Sequence, residues 1–386
     1  MSWESGTATS YTDLLDKLNT FITKGHALPP SYTGTGNGLI TGLIGTGASV
    51  QETITVTLTA ATTFDVSGSE TGAMGSGTVG TPFSHANVAF TLTAGGTAWV
   101  AGDTITFVMT APWVALRSAA GSEYIWQAPG NAGTDQILVG ASTFSDAGAD
   151  YFNWRLGGFT GYASGNVFTN QPGAMTGPCL PLWNASIPYW FVADGKRVIV
   201  VAKVSTVFES AYLGFIDTYP SPGQWAYPLA VGGMMAFAAE PADTSTNWRW
   251  SYTGNEHHAF YLGNPTASAA DAASSLRLRK PDGSWRGFGN NGFAASASYP
   301  GALWPAASGM TDLRPNLDGT YPMFPIIPTE NDGTVQNVFG ELAGVMATTG
   351  HLNAAENTIT VGRETWLVIQ NAHRTTKTDY AALRLA

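Results

Sequence analysis

The residues of this sequence that could bind a metal or transfer a proton are few and scattered. His257 and His258 form the one histidine pair, and Glu256 precedes them. Neighbouring residues of a strand point to opposite faces, so the two imidazoles are poorly placed to bind one ion. The spacings H-E-x-x-H and C-x-x-C do not occur. We therefore predict no metal site and interpret the pair as half-buried strand or loop histidines.

The sequence also lacks a motif for nucleophilic or acid–base catalysis. It contains no G-x-S-x-G, no P-loop and no G-x-G-x-x-G in a βαβ setting. The Asp-Gly pairs in NLDGTYP and TENDGTV lack the alternating oxygen ligands of a calcium loop, and we interpret them as turns. Paired carboxylates for glycoside hydrolysis cannot be found from spacing. We expect no catalytic residue and no cofactor. A polysaccharide-cleaving enzyme is kept as a third alternative, after the structural and ligand-binding roles considered below.

Aromatic residues beside polar ones are the remaining candidates for ligand binding. Trp248 and Trp250 lie in NWRWSY, and similar stretches occur as SIPYWF and DYFNWR. Exposed Trp and Tyr side chains stack on sugar rings, while Asn, Asp and Arg form hydrogen bonds with sugar hydroxyls. The alternative, which we favour, is that these rings fill a β core or a subunit interface. Trp248 and Trp250 are the candidate glycan contacts.

The composition is typical of a folded chain with few charges. Charged residues make up 11% of the 386 residues, and the net charge is −10. This balance argues against a nucleic-acid partner, which would need a basic surface. Cys179 is the single cysteine, so no internal disulfide can form, although an intermolecular bridge stays possible. The sequence starts without a signal-peptide pattern, and its longest apolar stretch is too short to span a bilayer.

The strongest helix signal covers residues 10 to 25. Five apolar residues fall on one face at helical spacing: Leu14, Leu15, Leu18, Phe21 and Ile22. Ser10 or Thr12 can cap the start, and Gly25 can close the end. Such an amphipathic helix either packs on its own chain or serves as an assembly handle that inserts into a neighbouring subunit.

The rest of the chain predicts a mainly β protein in three parts. We place an N-terminal helix and extended arm at 1–48, a small β-sandwich module at 49–111, and a larger aromatic-rich antiparallel β region at 112–386. Turn signals favour hairpins at Pro281-Asp282-Gly283 and at Gly362-Arg363. The stretch FGELAGVMA, residues 339 to 347, could form a short second helix.

One hairpin, in IPYWFVADGKRVIVVAKV, is unusually apolar. Asp194-Gly195 favours the positive-φ backbone of a tight turn. Its side chains, with Tyr189, Trp190, Phe191 and Val198 as the candidate core or interface residues, must be buried on two faces. We expect one face to pack in the chain's own sheets and the other against a neighbouring subunit.

The stretch that contains this hairpin also carries a family resemblance. Residues 180 to 233 hold an aromatic strand, an Asp-Gly turn, the strand VVAKVS, the sequence YLGF and a Pro-rich YP segment. This order resembles a recurrent block in virion structural proteins of tailed bacteriophages. SYTDLLDKLNTFIT resembles the N-terminal helix that these proteins often carry before a Thr-Gly-rich β module. The resemblance spans most of the chain, and its motifs are structural rather than catalytic.

The resemblance implies a non-enzymatic subunit of the phage tail or baseplate. Such a chain would be made in the host cytoplasm, would reside in the virion, and would pack symmetrically as a homo-oligomer with other tail, baseplate or neck proteins. The alternatives are a receptor- or glycan-binding adhesion module that contacts the host surface, and a neck or collar protein. We expect no nucleic-acid contact and no membrane insertion.

Overall fold

The protein is mainly β, as the sequence predicts. The computed structural model describes residues 1–219, 223–236, 259–260, 276–287, 296–299, 314–331, 336–370, 377 and 380–385. This part of the chain contains 31 strands, one α-helix and one short 3-10 turn. All of the pairings between these strands are antiparallel, the arrangement predicted for the larger region.

The elements follow one another along the chain in three groups. The first group is β1 (Ser2–Ala8), α1 (Tyr11–Ile22), β2 (Ser31–Thr33), β3 (Ile40–Gly45), β4 (Glu52–Leu58), β5 (Thr63–Gly68), β6 (Gly72–Thr78), β7 (Pro82–Ser84), β8 (Val88–Leu92) and β9 (Thr104–Met109). The second group is β10 (Val114–Ala119), β11 (Glu123–Ala128), β12 (Ile137–Asp146), β13 (Tyr151–Phe159), β14 (Pro178–Leu182), β15 (Ile187–Ala193), β16 (Arg197–Val204), β17 (Val207–Phe215), β18 (Asp217–Thr218), β19 (Leu229–Gly232) and β20 (Met235–Ala236). The third group is β21 (Leu276–Arg279), β22 (Trp285–Gly287), β23 (Ser296–Tyr299), β24 (Met323–Pro325), β25 (Ile327–Asn331), β26 (Gln336–Val338), β27 (Gly340–Glu341), β28 (Val345–Thr348), β29 (Thr358–Val361), β30 (Glu364–Gln370) and β31 (Tyr380–Arg384).

Three sheets form the body of the protein. The central sheet has the strand order β1-β15-β16-β17-β19-β21-β22. The lateral sheet, β10-β11-β12-β13-β14-β20, and α1 share a first hydrophobic core with one face of the central sheet. The C-terminal sheet, β24-β28-β31-β30-β29, shares a second core with the opposite face. The central sheet is therefore covered on both sides.

Strand β16 shows why other elements must pack on both faces of the central sheet. Val198, Val200, Ala202 and Val204 belong to the first core, whereas Ile199 and Val201 belong to the second. Successive side chains of a strand point to opposite faces, so an unbroken run of apolar residues leaves no face for water. The apolar hairpin of the sequence is the middle of the central sheet.

The predicted helix is present, and its start is capped as expected. Ser10 is the N-cap, and its hydroxyl accepts a hydrogen bond from the Asp13 backbone N–H at 3.1 Å. The helix ends at Ile22, three residues before the predicted terminator Gly25. The hydroxyl of Thr23 donates to the Asn19 carbonyl at 2.7 Å. Gly25 has another role, because a Cβ there would lie 2.3 Å from the Ser49 side chain.

The segment predicted as an extended arm, residues 26 to 48, contributes strands to its neighbour. β2 pairs with β9, and β3 pairs with β8. A five-stranded sheet, β2-β9-β4-β5-β6, and a three-stranded sheet, β3-β8-β7, share a third hydrophobic core. The Asp103 carboxylate also binds the arm, because it accepts hydrogen bonds from the backbone N–H groups of Thr35 and Gly36, both at 2.9 Å.

Two of the predicted hairpin turns occur, and the predicted second helix does not. Gly283 (φ +83) and Gly362 (φ +60) adopt the left-handed backbone that the turns require. Residues 339 to 347 instead contain β27, a turn and the start of β28. Pairing of β27 with β18, and of β28 with β24 and β31, makes these residues extended instead of helical.

We predict that Leu18→Ala lowers the free energy of unfolding by about 2–5 kcal/mol, because it removes a fully buried side chain from the first core. Chemical denaturation followed by tryptophan fluorescence measures the change. Thr20→Ala, on the exposed side of the same helix, is the control and should change stability little. Equal stability of Leu18→Ala and the wild type would contradict the described packing of α1.

Candidate functional site

The five helix residues predicted as an assembly contact lie inside the chain's own core. Leu14, Leu15, Leu18, Phe21 and Ile22 are 0% exposed, and Phe21 contacts Phe191 with 5.8 Å between ring centroids. The helix therefore packs on its own chain, the first of the two alternatives. In this fold these side chains have no surface to offer to a neighbouring subunit.

Polar contacts hold the helix against the lateral sheet as well. The indole N–H of Trp126 donates to Asn19 Oδ1 at 2.9 Å, and that of Trp154 donates to the Tyr11 carbonyl at 2.8 Å. The Tyr124 hydroxyl donates to Asp16 Oδ1 at 2.8 Å. Trp154, which lies in the stretch DYFNWR that sequence analysis considered for ligand binding, thus serves a structural contact.

The apolar hairpin is covered on both faces by its own chain. Tyr189, Phe191 and Val198 belong to the first core, and the rings of Tyr189 and Phe191 stack 4.2 Å apart. Trp190 packs at the border of the second core, 6.2 Å from Phe208. The expectation that the second face packs against a neighbouring subunit is wrong, because the C-terminal sheet occupies that place.

The hairpin turn differs from the predicted type. Gly195 does not have a positive φ; the turn is held by Asp194 Oδ1, which accepts hydrogen bonds from the backbone N–H groups of Lys196 and Arg197 at 2.7 and 3.0 Å. Glycine is required for space, since a Cβ at residue 195 would lie 2.2 Å from the Gly130 carbonyl oxygen. The Gly130 N–H donates to the Gly195 carbonyl at 2.7 Å, which joins this turn to the loop after β11.

A buried arginine neutralises the carboxylates at this turn. Arg197 is 1% exposed, donates to Asp217 Oδ1, and lies 3.7 Å from Asp194 Oδ1 through its Nε. Burial alone would lower the pKa of Arg197, but its electrostatic interactions with Tyr212, Asp194 and Asp217 outweigh burial and raise that pKa. Burial acts to raise the pKa of Asp217, and the Arg197 guanidinium more than offsets it. The ion pair of Arg197 with Asp217 joins β16 to β18.

Glu209 is a buried acid without such compensation. It lies on β17, on the face of the strand that also carries the first-core residues Val207 and Ala211, and it is 1% exposed. Its Oε2 has no hydrogen-bond partner among the described residues. Burial raises the pKa of Glu209 well above its ordinary value. Sequence analysis had no signal for this residue, because a lone Glu in a strand predicts nothing about burial.

The small module has a free edge strand, β6. β6 ends the five-stranded sheet and pairs with β5 alone among the described strands. Its sequence, GAMGSGT, contains no charged side chain. Five of its seven residues are exposed, among them Ala73 and Thr78. β6 is therefore an exposed edge strand without a charged side chain of its own; the Asp65 carboxylate of β5 accepts a hydrogen bond from the Ser76 hydroxyl of β6 at 2.6 Å.

A cavity of about 400 Å³ opens where the N-terminal strand, the arm and the C-terminal sheet meet. Most of its wall is apolar, and its charged side chains come from the hairpin and strand at the end of the chain. The lining residues are Met1, Trp3, Leu28, Pro29, Pro30, Tyr32, Ile40, Gly42, Leu43, Val361, Gly362, Arg363, Glu364, Arg384 and Leu385. Sequence analysis did not find this site, because its residues come from four separate stretches of the sequence.

Other residues singled out in the sequence have plain outcomes. Trp248, Trp250, His257 and His258 lie outside the described residues. Cys179 is fully buried, and burial raises the pKa of its thiol, so in this fold it is not accessible to a neighbouring chain. Within the described residues, no three His, Cys, Asp or Glu side chains group to hold a metal ion. No helix found in that same part of the protein is long and apolar enough to cross a bilayer.

Comparisons with known proteins add little. No protein-family model matches the sequence, and no curated protein matches it. The chain is similar in part to the crystal structure of Xanthomonas campestris FlgL, with 19% sequence identity and a TM-score of 0.19. The matched part covers 24% of this chain and 33% of the FlgL chain. A likeness of this size supports no statement about fold or function.

We predict that Glu209→Gln raises the free energy of unfolding at pH 7 relative to the wild type, because the variant buries no ionisable acid. The folded protein keeps the Glu209 proton at pH values where the unfolded chain, with an ordinary pKa of 4.5, has lost it. The contribution of Glu209 to the free energy of unfolding therefore falls as the pH rises above about 4.5.

Denaturant unfolding of both proteins at several pH values from 4 to 8 measures this effect. The variant and the wild type should converge at the acid end and separate as the pH rises. Glu70→Gln, at an exposed position of the small module, is the matched control and should follow the wild type. An equal pH dependence of Glu209→Gln and the wild type would show that Glu209 is not the buried acid described.

Proposed function

We propose that this chain is a non-enzymatic structural subunit of a tailed-phage virion, located in the tail or baseplate. It packs with neighbouring copies and with other tail, baseplate or neck proteins. The segment 49–111, together with the strands of the arm, forms a β-sandwich module that makes the contact. The uncharged free edge β6 carries the part of this proposal that concerns assembly, and the family resemblance of residues 180 to 233 is the support for a virion.

An unprotected edge strand is unusual for a protein that stays alone. Its unpaired N–H and C=O groups are a template for another strand, and monomeric proteins block such edges with Lys, Pro, inward charges or β-bulges. β6 carries none of these residues. It has a bulge at Met74 and Gly75, where the register with β5 shifts and Gly75 has a φ of +115°. The residues on each side of the bulge keep a free edge that a neighbouring strand can pair with.

The interior of the chain supports contact through edges rather than through an inserted helix. The five apolar residues of α1 are used inside the first core. β1, which precedes the helix, pairs with β15 from Ser2 to Ala8. Residues 1 to 25 are thus part of the body, and their removal would expose the first core and the edge of the central sheet. A subunit built this way docks as a preformed unit, and contacts repeated by symmetry make a modest interface firm.

Electron microscopy of purified particles tests the location. We expect immunogold label with antibody against residues 112–386 at the distal end of the tail, because the proposal places the chain in the tail or baseplate. Antibody preabsorbed with the pure chain is the control and should remove the label. Label at the head–tail junction would indicate that the chain is a collar protein instead of a baseplate protein. Particles without label, in which mass spectrometry finds no peptide of this chain, would refute the virion proposal.

We predict that Ala73→Lys combined with Thr78→Lys reduces incorporation of the chain into particles at least about tenfold, because two ammonium groups on β6 oppose strand pairing. The matched control is Thr53→Lys with Ser67→Lys, which places the same two charges at exposed positions of the inner strands β4 and β5. Quantitative mass spectrometry of particles measures incorporation. Equal incorporation of the β6 variant and its control would show that the edge is not the contact.

A further inference from the structure

The cavity at the meeting point of β1, the arm and the C-terminal sheet has the size and wall of a small-molecule site. Its volume of about 400 Å³ lies within the usual range for ligand pockets. Leu28, Pro29, Ile40, Leu43 and Val361 give it an apolar wall. A ligand body that enters it would exchange water for aliphatic and proline surface.

The charges at this cavity do not cancel. Arg384 donates to Glu364 Oε1 at 2.6 Å, so these two side chains form an ion pair. Arg363 is the second cation, and no ion pair with a carboxylate involves it in the described part of the chain. Burial lowers the pKa of the α-amino group of Met1, which also lines the cavity, to about 5, so this group is uncharged at neutral pH. The site therefore has one positive charge in excess, on the Arg363 side chain, which is only partly exposed.

The Arg363 guanidinium is held in place by two contacts, and some of its N–H donors stay unused. It lies over the Tyr32 ring, 4.0 Å from the centroid, and its Nη2 donates to the Gly36 carbonyl at 2.8 Å. A guanidinium has five N–H donors in a fixed plane, and this arrangement uses one nitrogen. The remaining donors fit a carboxylate, which accepts paired N–H groups side by side. Stacking on Tyr32 limits the loss of side-chain freedom when a ligand binds.

We propose that this cavity binds a small amphipathic anion, a carboxylate on an unbranched apolar body. The apolar body packs along Leu28, Ile40 and Leu43, and the carboxylate forms hydrogen bonds with Arg363. Charge complementarity selects this occupant, since a cation would face the uncompensated Arg363 and a neutral chain would leave its free donors unpaired. The site is independent of β6 and of the proposed role in a virion.

Octanoate is the probe, tested by isothermal titration calorimetry on the full chain. We expect octanoate to bind, and Arg363→Gln to weaken binding about tenfold or more through loss of a charge-assisted hydrogen bond. Arg117→Gln is the matched control. Arg117 also lies over a ring, 5.7 Å from the Tyr162 centroid, and donates to backbone carbonyls, but it does not line the cavity. The Arg117→Gln variant should bind octanoate as tightly as the wild type.

Two further measurements keep the test decisive. Octan-1-ol and octylammonium should bind at least about tenfold more weakly than octanoate. Leu43→Trp, which fills the cavity and keeps Arg363, should also lose binding, and it replaces Arg363→Gln if that variant does not fold. Absence of octanoate binding, equal binding of the alcohol or the amine, or unchanged octanoate binding by a folded Arg363→Gln would each overturn the proposal.

Discussion

The structure depends on one constraint: the central sheet presents apolar side chains on both faces. In β16 these side chains alternate between the first and the second core, and β17 is buried along its whole length. Water can touch neither face without a large hydrophobic cost. The lateral sheet with α1 must therefore cover one side, and the C-terminal sheet must cover the other. Helix α1, near the start of the chain, and the C-terminal sheet therefore pack on opposite faces of the central sheet.

Polar groups inside this body fall into two kinds. Asp194, Arg197 and Asp217 form a cluster in which each charge has a partner, and the cluster fixes the hairpin turn and β18. A buried charge with partners specifies an arrangement, whereas one without partners weakens it. Glu209 is of the second kind, since burial favours its neutral form and nothing described compensates its Oε2. The body thus contains both a rigid electrostatic link and a pH-sensitive position.

The functional proposals lie at the periphery, where this constraint no longer acts. β6 belongs to the small module, whose core is separate from the two cores of the central sheet. The cavity lies where β1, the arm and the C-terminal sheet come together, and its cation Arg363 is anchored by Tyr32 and Gly36 of the arm. An uncharged edge suits a neighbouring strand, and an apolar pocket with one excess positive charge suits an amphipathic anion. The two features are therefore expected to bind different partners, a strand of another chain and a small anion.

The sequence by itself determined the mainly β class, the helix with a cap at Ser10 or Thr12, and the turns at Gly283 and Gly362, because local spacing and backbone preference act within a few residues. It did not predict β1, whose residues SWESGTA have no alternation and become a strand only by pairing with β15. Nor did it predict which side chains would meet. The Tyr32–Arg363 contact joins residues 331 positions apart, and the burial of Glu209 follows from the lateral sheet that covers β17. Tertiary structure decided these features, since only the packing of whole sheets brings such residues together.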